Sequence, residues 1–255
     1  MAEPKYKVVE IFRSISGESI HSGSVAVFVR LYGCNLRCHY SEDGNCDTPY
    51  GYEGNDYTEM TAAEIIRKIY ELSPNGLVIL TGGEPLIHDN IEFLLGDISE
   101  EQGIRLEVET NGSVDVRQIL QRMENAGYTP DPETLSFTID YKCPSSKMTS
   151  HMIEVPEYVE MFNDLVNDDY EVAIKFVVAD KDDLICASLI ADRLMGDVES
   201  EDPRLDLGDY IFLSPVFGTD VSAIVECMTE SNVLCWCKLQ LQLHKYIWDP
   251  DKRGV

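Results

Sequence analysis

The sequence predicts an α/β fold built on a mostly parallel β-sheet. Short apolar runs rich in β-branched residues alternate with amphipathic stretches along nearly the whole chain, which is typical of repeated strand–helix units. The apolar runs are continuous, as in strands that are covered on both faces. This order fits an open or partly closed barrel and a doubly wound sheet equally well, because hydrophobic periodicity does not separate the two.

Seven strands and seven helices are predicted from the strand-like and helix-like spacing of the apolar residues. The strands are expected at residues 7–12, 26–32, 77–81, 104–109, 135–141, 171–178 and 210–213. The helices are expected at residues 62–72, after the N-cap candidate Thr61, and at 91–102, 116–126, 157–166, 182–194, 221–228 and 239–247. The polar segment 196–208 is predicted to be a surface loop. Without a repeat or an obvious linker, the chain is predicted to form one domain over residues 1–255.

Composition and charge exclude several classes of protein. Twenty Lys and Arg against 46 Asp and Glu give a net charge of −26, which argues against a nucleic-acid partner because binding phosphates requires a surplus of cations. No apolar run approaches the roughly 18 residues of a membrane helix, and the first twelve residues lack the pattern of a signal peptide. We therefore expect a cytoplasmic protein with no membrane partner.

Three of the eight cysteines, Cys34, Cys38 and Cys46, fall in one polar loop directly after a predicted strand. In a reducing compartment such a triplet indicates metal binding. Structural zinc prefers four protein ligands, and His39 is the nearest candidate for the fourth. Three thiolates also suit an iron–sulfur cluster in which one iron has no cysteine ligand. The spacing favours the cluster and leaves zinc as the alternative.

Polar, Gly- or Pro-containing segments follow three further strands. They are Gly82-Gly83-Glu84-Pro85, the segment 107–112, and the segment 140–147. Glycine lets a ligand approach the backbone closely, and the carboxyl ends of parallel strands are where α/β proteins bind ligands. These strand ends therefore predict one ligand site at the same edge of the sheet as the cysteines.

A cysteine triplet followed by Gly-Gly-Glu-Pro resembles the radical S-adenosylmethionine (SAM) superfamily. The segments 10–18, 28–38, 46–50, 108–112, 142–147 and 242–255 are further similar to the 7-carboxy-7-deazaguanine synthase family. The resemblance runs from residue 8 to the last residue. It implies a partial, open β/α barrel of the radical SAM type, with a cluster loop at residues 34–57 and a functional C-terminal tail at residues 242–255.

The resemblance also implies an activity. Members of this family convert 6-carboxy-5,6,7,8-tetrahydropterin to 7-carboxy-7-deazaguanine with loss of ammonia, in queuosine-type 7-deazapurine biosynthesis. The implied cofactors are a 4Fe-4S cluster, SAM and Mg²⁺, and the reaction begins with abstraction of the hydrogen at C6 of the pterin. The implied partners are an electron donor such as flavodoxin or ferredoxin and a second copy of the chain in a homodimer.

Site residues follow from the same resemblance. The implied metal ligands are Cys34, Cys38 and Cys46 for the cluster and Thr48 for Mg²⁺. The implied SAM-binding residues are Gly82, Gly83, Glu84, Gly112, Asp140, Tyr141, Lys142, Ser214, Pro215, Val216 and Phe217. The implied substrate-binding residues are Ile15, Ser16, Gly17, Glu18, Arg30, Thr110, His244 and Val255, with Arg30 suited to a carboxylate.

The sequence departs from the family pattern at three places. Seven residues separate Cys38 from Cys46 instead of two, which we interpret as an insertion at residues 41–45 that bulges outward as a turn. Ser16 stands where the family usually has glutamine, so one substrate hydrogen bond is in doubt. Asp140 and Tyr141 replace a common Ser-Pro pair at the SAM site.

Two other functions remain open on the sequence. A different radical SAM enzyme, such as a glycyl-radical activase or a peptide-modifying member, would share the cluster and the Gly-Gly-Glu-Pro segment. It would not need Arg30, Thr48 or the C-terminal tail. A zinc-stabilised binding module without catalysis is the alternative from another class, and it gives no account of the other strand ends.

Overall fold

The computed structural model describes residues 3–40, 46–72, 75–196 and 210–255. The predicted insertion at residues 41–45 lies outside these ranges, as does nearly all of the predicted loop 196–208. Within the described ranges no helix is both long enough and apolar enough to cross a membrane.

The described strands form one open sheet in the order β3-β1-β2-β4-β5-β6-β7-β8-β9. Strand β1 pairs antiparallel with β2 and β3, and every other neighbouring pair is parallel. The strands are β1 (Lys5–Ile15), β2 (Val25–Leu31), β3 (Thr58–Thr61), β4 (Leu77–Gly82), β5 (Arg105–Thr110), β6 (Leu135–Tyr141), β7 (Glu171–Val178), β8 (Ile211–Pro215) and β9 (Lys238–Leu239).

The described helices are α1 (Ala62–Leu72), α2 (Ile91–Ser99), α3 (Val116–Ala126), α4 (Val155–Asn167), α5 (Lys181–Gly196), α6 (Val221–Glu230) and α7 (Leu243–Ile247). Helix α7 has no buried residue and belongs to the C-terminal tail. The first six cover one face of the sheet, and their buried apolar side chains form one core with strand residues such as Val78, Leu106 and Val108. Because side chains alternate across a strand, the residues between these face the opposite, inner side, where Thr81 and Glu109 line a cavity.

Capping groups explain where some helices begin and end. The Asp115 carboxylate accepts a hydrogen bond from the backbone N–H of Arg117 at the start of α3, and Asp220 does the same for Ser222 at the start of α6. Helix α3 ends at Gly127, whose φ of +97° is the left-handed conformation that glycine adopts without strain.

The predicted fold class, a partial and open α/β barrel with mostly parallel strands, is confirmed by the open sheet. The seven predicted strands and the first six helices are all present, with ends that shift by a few residues. The prediction of a helix over residues 239–247 is wrong in its first half, because Leu239 pairs with Leu213 in β9 and α7 starts only at Leu243. Strands β3 and β9 were missed, since four largely polar residues and two residues leave no hydrophobic pattern.

Candidate active site

A cavity of about 600 Å³ opens at the carboxyl ends of the parallel strands and extends along the inner face of the sheet. The loop after β1 and the C-terminal tail lie along its other side. Most of the predicted site residues line it: Ile15, Gly17, Glu18, Arg30, Cys34, Cys38, Cys46, Thr48, Gly82, Gly83, Thr110, Asp140, Lys142, Pro215, Val216, Phe217, His244 and Val255. The fold therefore gathers into one place residues that are up to 240 positions apart in the sequence.

Five predicted site residues, Ser16, Glu84, Gly112, Tyr141 and Ser214, lie outside this lining. Ser16 is buried and its hydroxyl donates to the backbone carbonyl of Glu18 at 2.8 Å. The Ser214 hydroxyl donates to the carboxylate of Glu18. The ring of Tyr141 points into the core, because strand alternation turns it away from its neighbours in the cavity.

Tyr141 packs edge-on against Tyr158, with ring centroids 5.2 Å apart. Gly112 has a φ of +75°, and a Cβ there would collide with the carbonyl oxygen of Asp140. Both residues support the strand ends, and their contact with SAM stays a prediction.

Glu84 ties the ends of β4 and β5 together. Its buried carboxylate accepts hydrogen bonds from the Thr110 hydroxyl at 2.9 Å and from the backbone N–H groups of Asn111 at 2.6 Å and Leu86 at 2.9 Å. Burial raises the pKa of Glu84 to about 7, against the opposing effect of these donors. The side chain is occupied by these bonds, so any contact of Glu84 with a ligand falls to its main chain.

Gly82 and Gly83 are needed for packing against the cluster loop. A Cβ at Gly82 would collide with the carbonyl oxygen of Leu31, and one at Gly83 would collide with the carbonyl oxygen of Gly33. The backbone N–H of Glu84 also donates to that Gly33 oxygen at 2.8 Å. The two glycines thus bring the end of β4 directly against the residue that precedes Cys34.

The three cysteines of the loop face the cavity in surroundings that suit a thiolate-ligated cluster. The Sγ atom of Cys34 accepts from the Leu36 backbone N–H at 3.4 Å and lies 3.7 Å from the Asn111 side-chain nitrogen. Such donors to sulfur tune iron–sulfur sites. Burial raises the pKa of Cys38 and of Cys46, while the ammonium of Lys142 lowers both.

The widened spacing does not separate Cys46 from its partners. The backbone N–H of Cys46 donates to the carbonyl of Cys38 at 3.0 Å, so the two ends of the inserted segment are joined.

The zinc alternative depends on a fourth ligand, because structural zinc prefers four protein ligands. His39, the predicted fourth zinc ligand, is exposed and lies outside the cavity lining.

A chain of charges crosses the inner face of the sheet. The Glu18 carboxylate accepts from Gln242 Nε2 at 3.1 Å and lies 3.3 Å from the ammonium of Lys175. Lys175 also pairs with Asp140 at 3.2 Å, and Lys142 pairs with the other oxygen of Asp140 at 2.5 Å. Burial alone would raise the pKa of Asp140, but the two lysines outweigh it and the pKa is lowered. The two lysines therefore favour the ionised form of Asp140.

Arg30 lies on the other side of the cavity. Its Nε donates to Glu10 at 2.8 Å and its guanidinium lies over the ring of Tyr50. The guanidinium of Arg253 also stacks on Tyr50, 3.8 Å from the ring centroid. The tail is therefore fixed against the cluster loop through one aromatic ring.

A second contact fixes the tail against the loop after β1. The backbone N–H of Leu243 donates to the carbonyl of Gly17 at 3.0 Å, and a Cβ at Gly17 would collide with Nδ1 of His244. Burial lowers the pKa of His244, so the ring is neutral at pH 7. Gly17 is thus required for the close approach of His244 to the cavity.

The cavity is far less acidic than the protein. Among the described residues its lining holds six Lys and Arg but only five Asp and Glu, in a chain that has 20 Lys and Arg and 46 Asp and Glu. The basic lining residues are Arg30, Lys142, Lys175, Lys245, Lys252 and Arg253. Such a concentration of cations in an acidic chain fits anionic groups on the ligands.

Sequence reasoning missed several lining residues, among them Glu109, Lys175 and Gln242. A signal existed for Lys175, because a lysine in the middle of the apolar run 171–178 contradicts a strand buried on both faces. Glu109 stood in a strand end that was recognised as polar, and no role was assigned to it. Gln242 gave no signal, since its position depends on where the tail packs.

Three comparisons with known proteins agree with this geometry. The family description "Radical SAM superfamily" matches residues 28–170. A 7-carboxy-7-deazaguanine synthase of Clostridium acetobutylicum is 40% identical over 98% of this chain and 99% of its own. One of Leptospira interrogans is 35% identical over 98% of both chains. The crystal structure of QueE from Escherichia coli shares the fold, with a TM-score of 0.63 and 21% identity over 94% of this chain and 95% of that one.

Proposed function

Because this chain belongs to the radical SAM superfamily and, within it, to the 7-carboxy-7-deazaguanine synthase family, we propose that it converts 6-carboxy-5,6,7,8-tetrahydropterin to 7-carboxy-7-deazaguanine with release of ammonia. The reaction is a step of queuosine-type 7-deazapurine biosynthesis. One observation carries the proposal: a single cavity joins the cluster cysteines to Arg30, Thr110 and the C-terminal tail.

We propose that Cys34, Cys38 and Cys46 hold the 4Fe-4S cluster. SAM would lie beside it, against Gly82, Gly83, Asp140, Lys142 and the strand end Pro215, Val216 and Phe217, which all line the cavity. When bound, the cluster and SAM supply the one-electron chemistry that removes the hydrogen atom from C6 of the pterin. The chain itself positions the groups and excludes water.

The pterin would lie between the inner face of the sheet and the tail. Arg30 is held by Glu10 and Tyr50 with part of its guanidinium facing the cavity, which suits the substrate carboxylate. The carboxylate of Glu18, held by Lys175 and Gln242, is placed to accept hydrogen bonds from ring N–H groups. Two residues of the tail, Val255 and the neutral His244, would close the pocket.

We further propose Mg²⁺ at Thr48, since its hydroxyl and the carboxylate of Asp47 lie 2.9 Å apart at the cavity wall and hard oxygens suit this ion. The family chemistry requires a reductant, for which we propose a flavodoxin or ferredoxin. A homodimer and a cytoplasmic location complete the proposal, the latter because free thiols and a cluster need a reducing compartment.

The proposal is tested with protein reconstituted anaerobically with iron and sulfide and supplied with SAM, Mg²⁺ and dithionite. Incubation with 6-carboxytetrahydropterin should give 7-carboxy-7-deazaguanine and ammonia, read by mass spectrometry and an ammonia assay. Protein carrying Cys46→Ala is the matched control and should give neither. Formation of 5′-deoxyadenosine without the deazaguanine would refute the substrate and retain the superfamily chemistry.

A further inference from the structure

We infer that Glu109 transfers the proton in the step that releases ammonia. The inference rests on the proposed function and names a catalytic group for it. Glu109 lies near the end of β5 and its half-buried side chain lines the cavity. The adjacent Thr110 and the facing Arg30 also line the cavity, so the carboxyl is in the part of the site assigned to the pterin.

The other carboxylates that line the cavity differ from Glu109 in their partners or in their exposure. Glu18 is held by Lys175, Ser214 and Gln242, and Asp140 lies between two lysines. Asp47 accepts from the Thr48 hydroxyl and pairs with Lys245, while Asp251 is an exposed residue of the tail. Paired carboxylates stay ionised and are poor proton donors.

Glu109 differs from them. Among the described residues no cation lies within ion-pairing distance of its carboxyl, and the hydroxyl of Thr81 on the neighbouring strand is close enough to lower its pKa. A carboxyl with one neutral partner and one side open to a cavity has both the freedom and the access that proton transfer requires.

The groups around Glu109 shift its pKa in opposite directions. Burial raises the pKa of Glu109, and so do the carboxylates of Glu107 on the same strand and Glu18 on the loop after β1. Lys175 on β7 and the Thr81 hydroxyl on β4 lower it, and Arg30 on β2 is the other charge that faces it. The raised value brings the group toward the neutral pH at which an acid–base catalyst is most effective.

Loss of ammonia needs one group that first accepts a proton as a base and then returns it as an acid. After ring contraction, the new five-membered ring becomes aromatic when it loses a carbon-bound proton and the amino group. The carboxylate of Glu109 takes the proton, and the electron pair of that C–H bond forms the ring double bond while the C–N bond breaks toward nitrogen. The carboxyl returns the same proton to the departing nitrogen, which leaves as ammonia, so protons and electrons balance without a further reactant.

Glu107 offers a matched control two residues away on the same face of β5. Its carboxylate is fully buried and bonded to His21 Nδ1 at 2.8 Å and to the Thr138 hydroxyl at 2.6 Å, and it does not line the cavity. The change Glu107→Gln therefore removes the same charge at a neighbouring point of the same strand and leaves the proposed proton-transfer group in place.

The test uses reconstituted holoenzyme carrying Glu109→Gln, Glu109→Asp or Glu107→Gln, with SAM, reductant and 6-carboxytetrahydropterin. In Glu109→Gln we expect 7-carboxy-7-deazaguanine and ammonia to form about 100-fold or more slowly, the usual range for loss of a general acid–base. With substrate deuterated at C6, transfer of deuterium into SAM and 5′-deoxyadenosine should stay within about threefold of wild type, and a product isomeric with the substrate should accumulate. Glu109→Asp should restore part of the ammonia release, and Glu107→Gln should leave it within about threefold.

Two results would overturn the inference. One is product formation by Glu109→Gln at the wild-type rate. The other is an equal fall in deuterium transfer to SAM and 5′-deoxyadenosine and in product formation, with no isomer, which would place Glu109 in substrate binding. If Glu109→Gln does not hold a cluster, the ratio of deuterium transfer to product formation in Glu109→Asp decides instead. A wild-type protein that makes no deazaguanine would instead refute the proposed function, so the two failures are distinguishable.

Discussion

The two ends of the cavity are built in different ways. At the cluster end, Cys34, Cys38 and Cys46 come from one short loop. Gly82 and Gly83 have no side chains, and their backbone packs closely against this region. At the interior end, charged side chains from many separate elements meet on the inner face of the sheet. They are Glu18, Arg30, Glu109, Asp140 and Lys175, with His244 from the tail.

This difference separates two tasks. The cluster end depends on the thiols of three cysteines and on two glycines, which have no side chains. These residues lie in short sequence motifs, and replacing a single one of them should disrupt the cluster site. The interior end depends on pairs such as Lys175 with Glu18, whose partners lie 157 residues apart. It therefore exists only in the folded sheet, and single changes there should tune binding and proton transfer rather than abolish the cofactor chemistry.

The largest effect is expected at the cluster end. Replacing Cys46 with Ala removes one of three proposed thiolate ligands and should abolish cluster retention, measured as iron and acid-labile sulfide per chain. Cys186, on helix α5 and outside the cavity, is the matched control, and Cys186→Ala should keep the full cluster. The opposite pattern would show that Cys46 is not the third ligand and that the account of the insertion is wrong.

A smaller and more selective effect is expected at the interior end. Arg30→Ala should weaken pterin binding by about 1.5–3 kcal/mol, the usual worth of a hydrogen bond to a charged group, or roughly 10- to 150-fold in Kd. SAM binding and cluster content should not change. Equilibrium binding of each ligand measures the two effects separately.

The control for Arg30 is Arg122→Ala. This arginine pairs with Glu92 on the helical surface, away from the cavity. An unchanged pterin affinity in Arg30→Ala would remove its carboxylate-binding role, and an equal loss of SAM affinity would erase the distinction between the two ends.

The smallest effect concerns the contact that joins the tail to the interior end. Gly17→Ala places a methyl group against Nδ1 of His244, and such overpacking costs about 1–3 kcal/mol. We expect a lower unfolding temperature and a severalfold higher KM for the pterin. Gly196→Ala is the control, because nothing lies within 4 Å of its Cβ position. Equal KM values in the two variants would mean that the approach of His244 to Gly17 does not shape the site.

The cluster end could be predicted from sequence because its determinants are consecutive. Cys34, Gly82 and Gly83 lie in short motifs, and strand–helix alternation places the ends of their strands at one edge. A sequence motif does not show which of its side-chain atoms are free to bind a ligand. Glu84 was expected at SAM, and only the structure shows that its carboxylate accepts from the N–H groups of Leu86 and Asn111.

The interior end could be predicted only in part. Glu18, Arg30 and His244 were found by resemblance, and their neighbours were not. Lys175 looks misplaced in an apolar strand until the parallel register sets it beside Asp140 on β6. Gln242 reaches Glu18 only because the chain turns inward after β9. Such contacts depend on strand register and on packing of the tail, which are properties of the whole fold.

The central claim is that the cluster and the pterin share this one cavity. Isotope transfer tests it most directly: the reconstituted protein is given SAM, reductant and 6-carboxytetrahydropterin with deuterium at C6. Deuterium is expected in SAM and in any 5′-deoxyadenosine released, because the hydrogen atom moves directly between the two ligands and this redox-neutral reaction returns it. Unlabelled 5′-deoxyadenosine, formed at the same rate with and without the pterin, would contradict the claim.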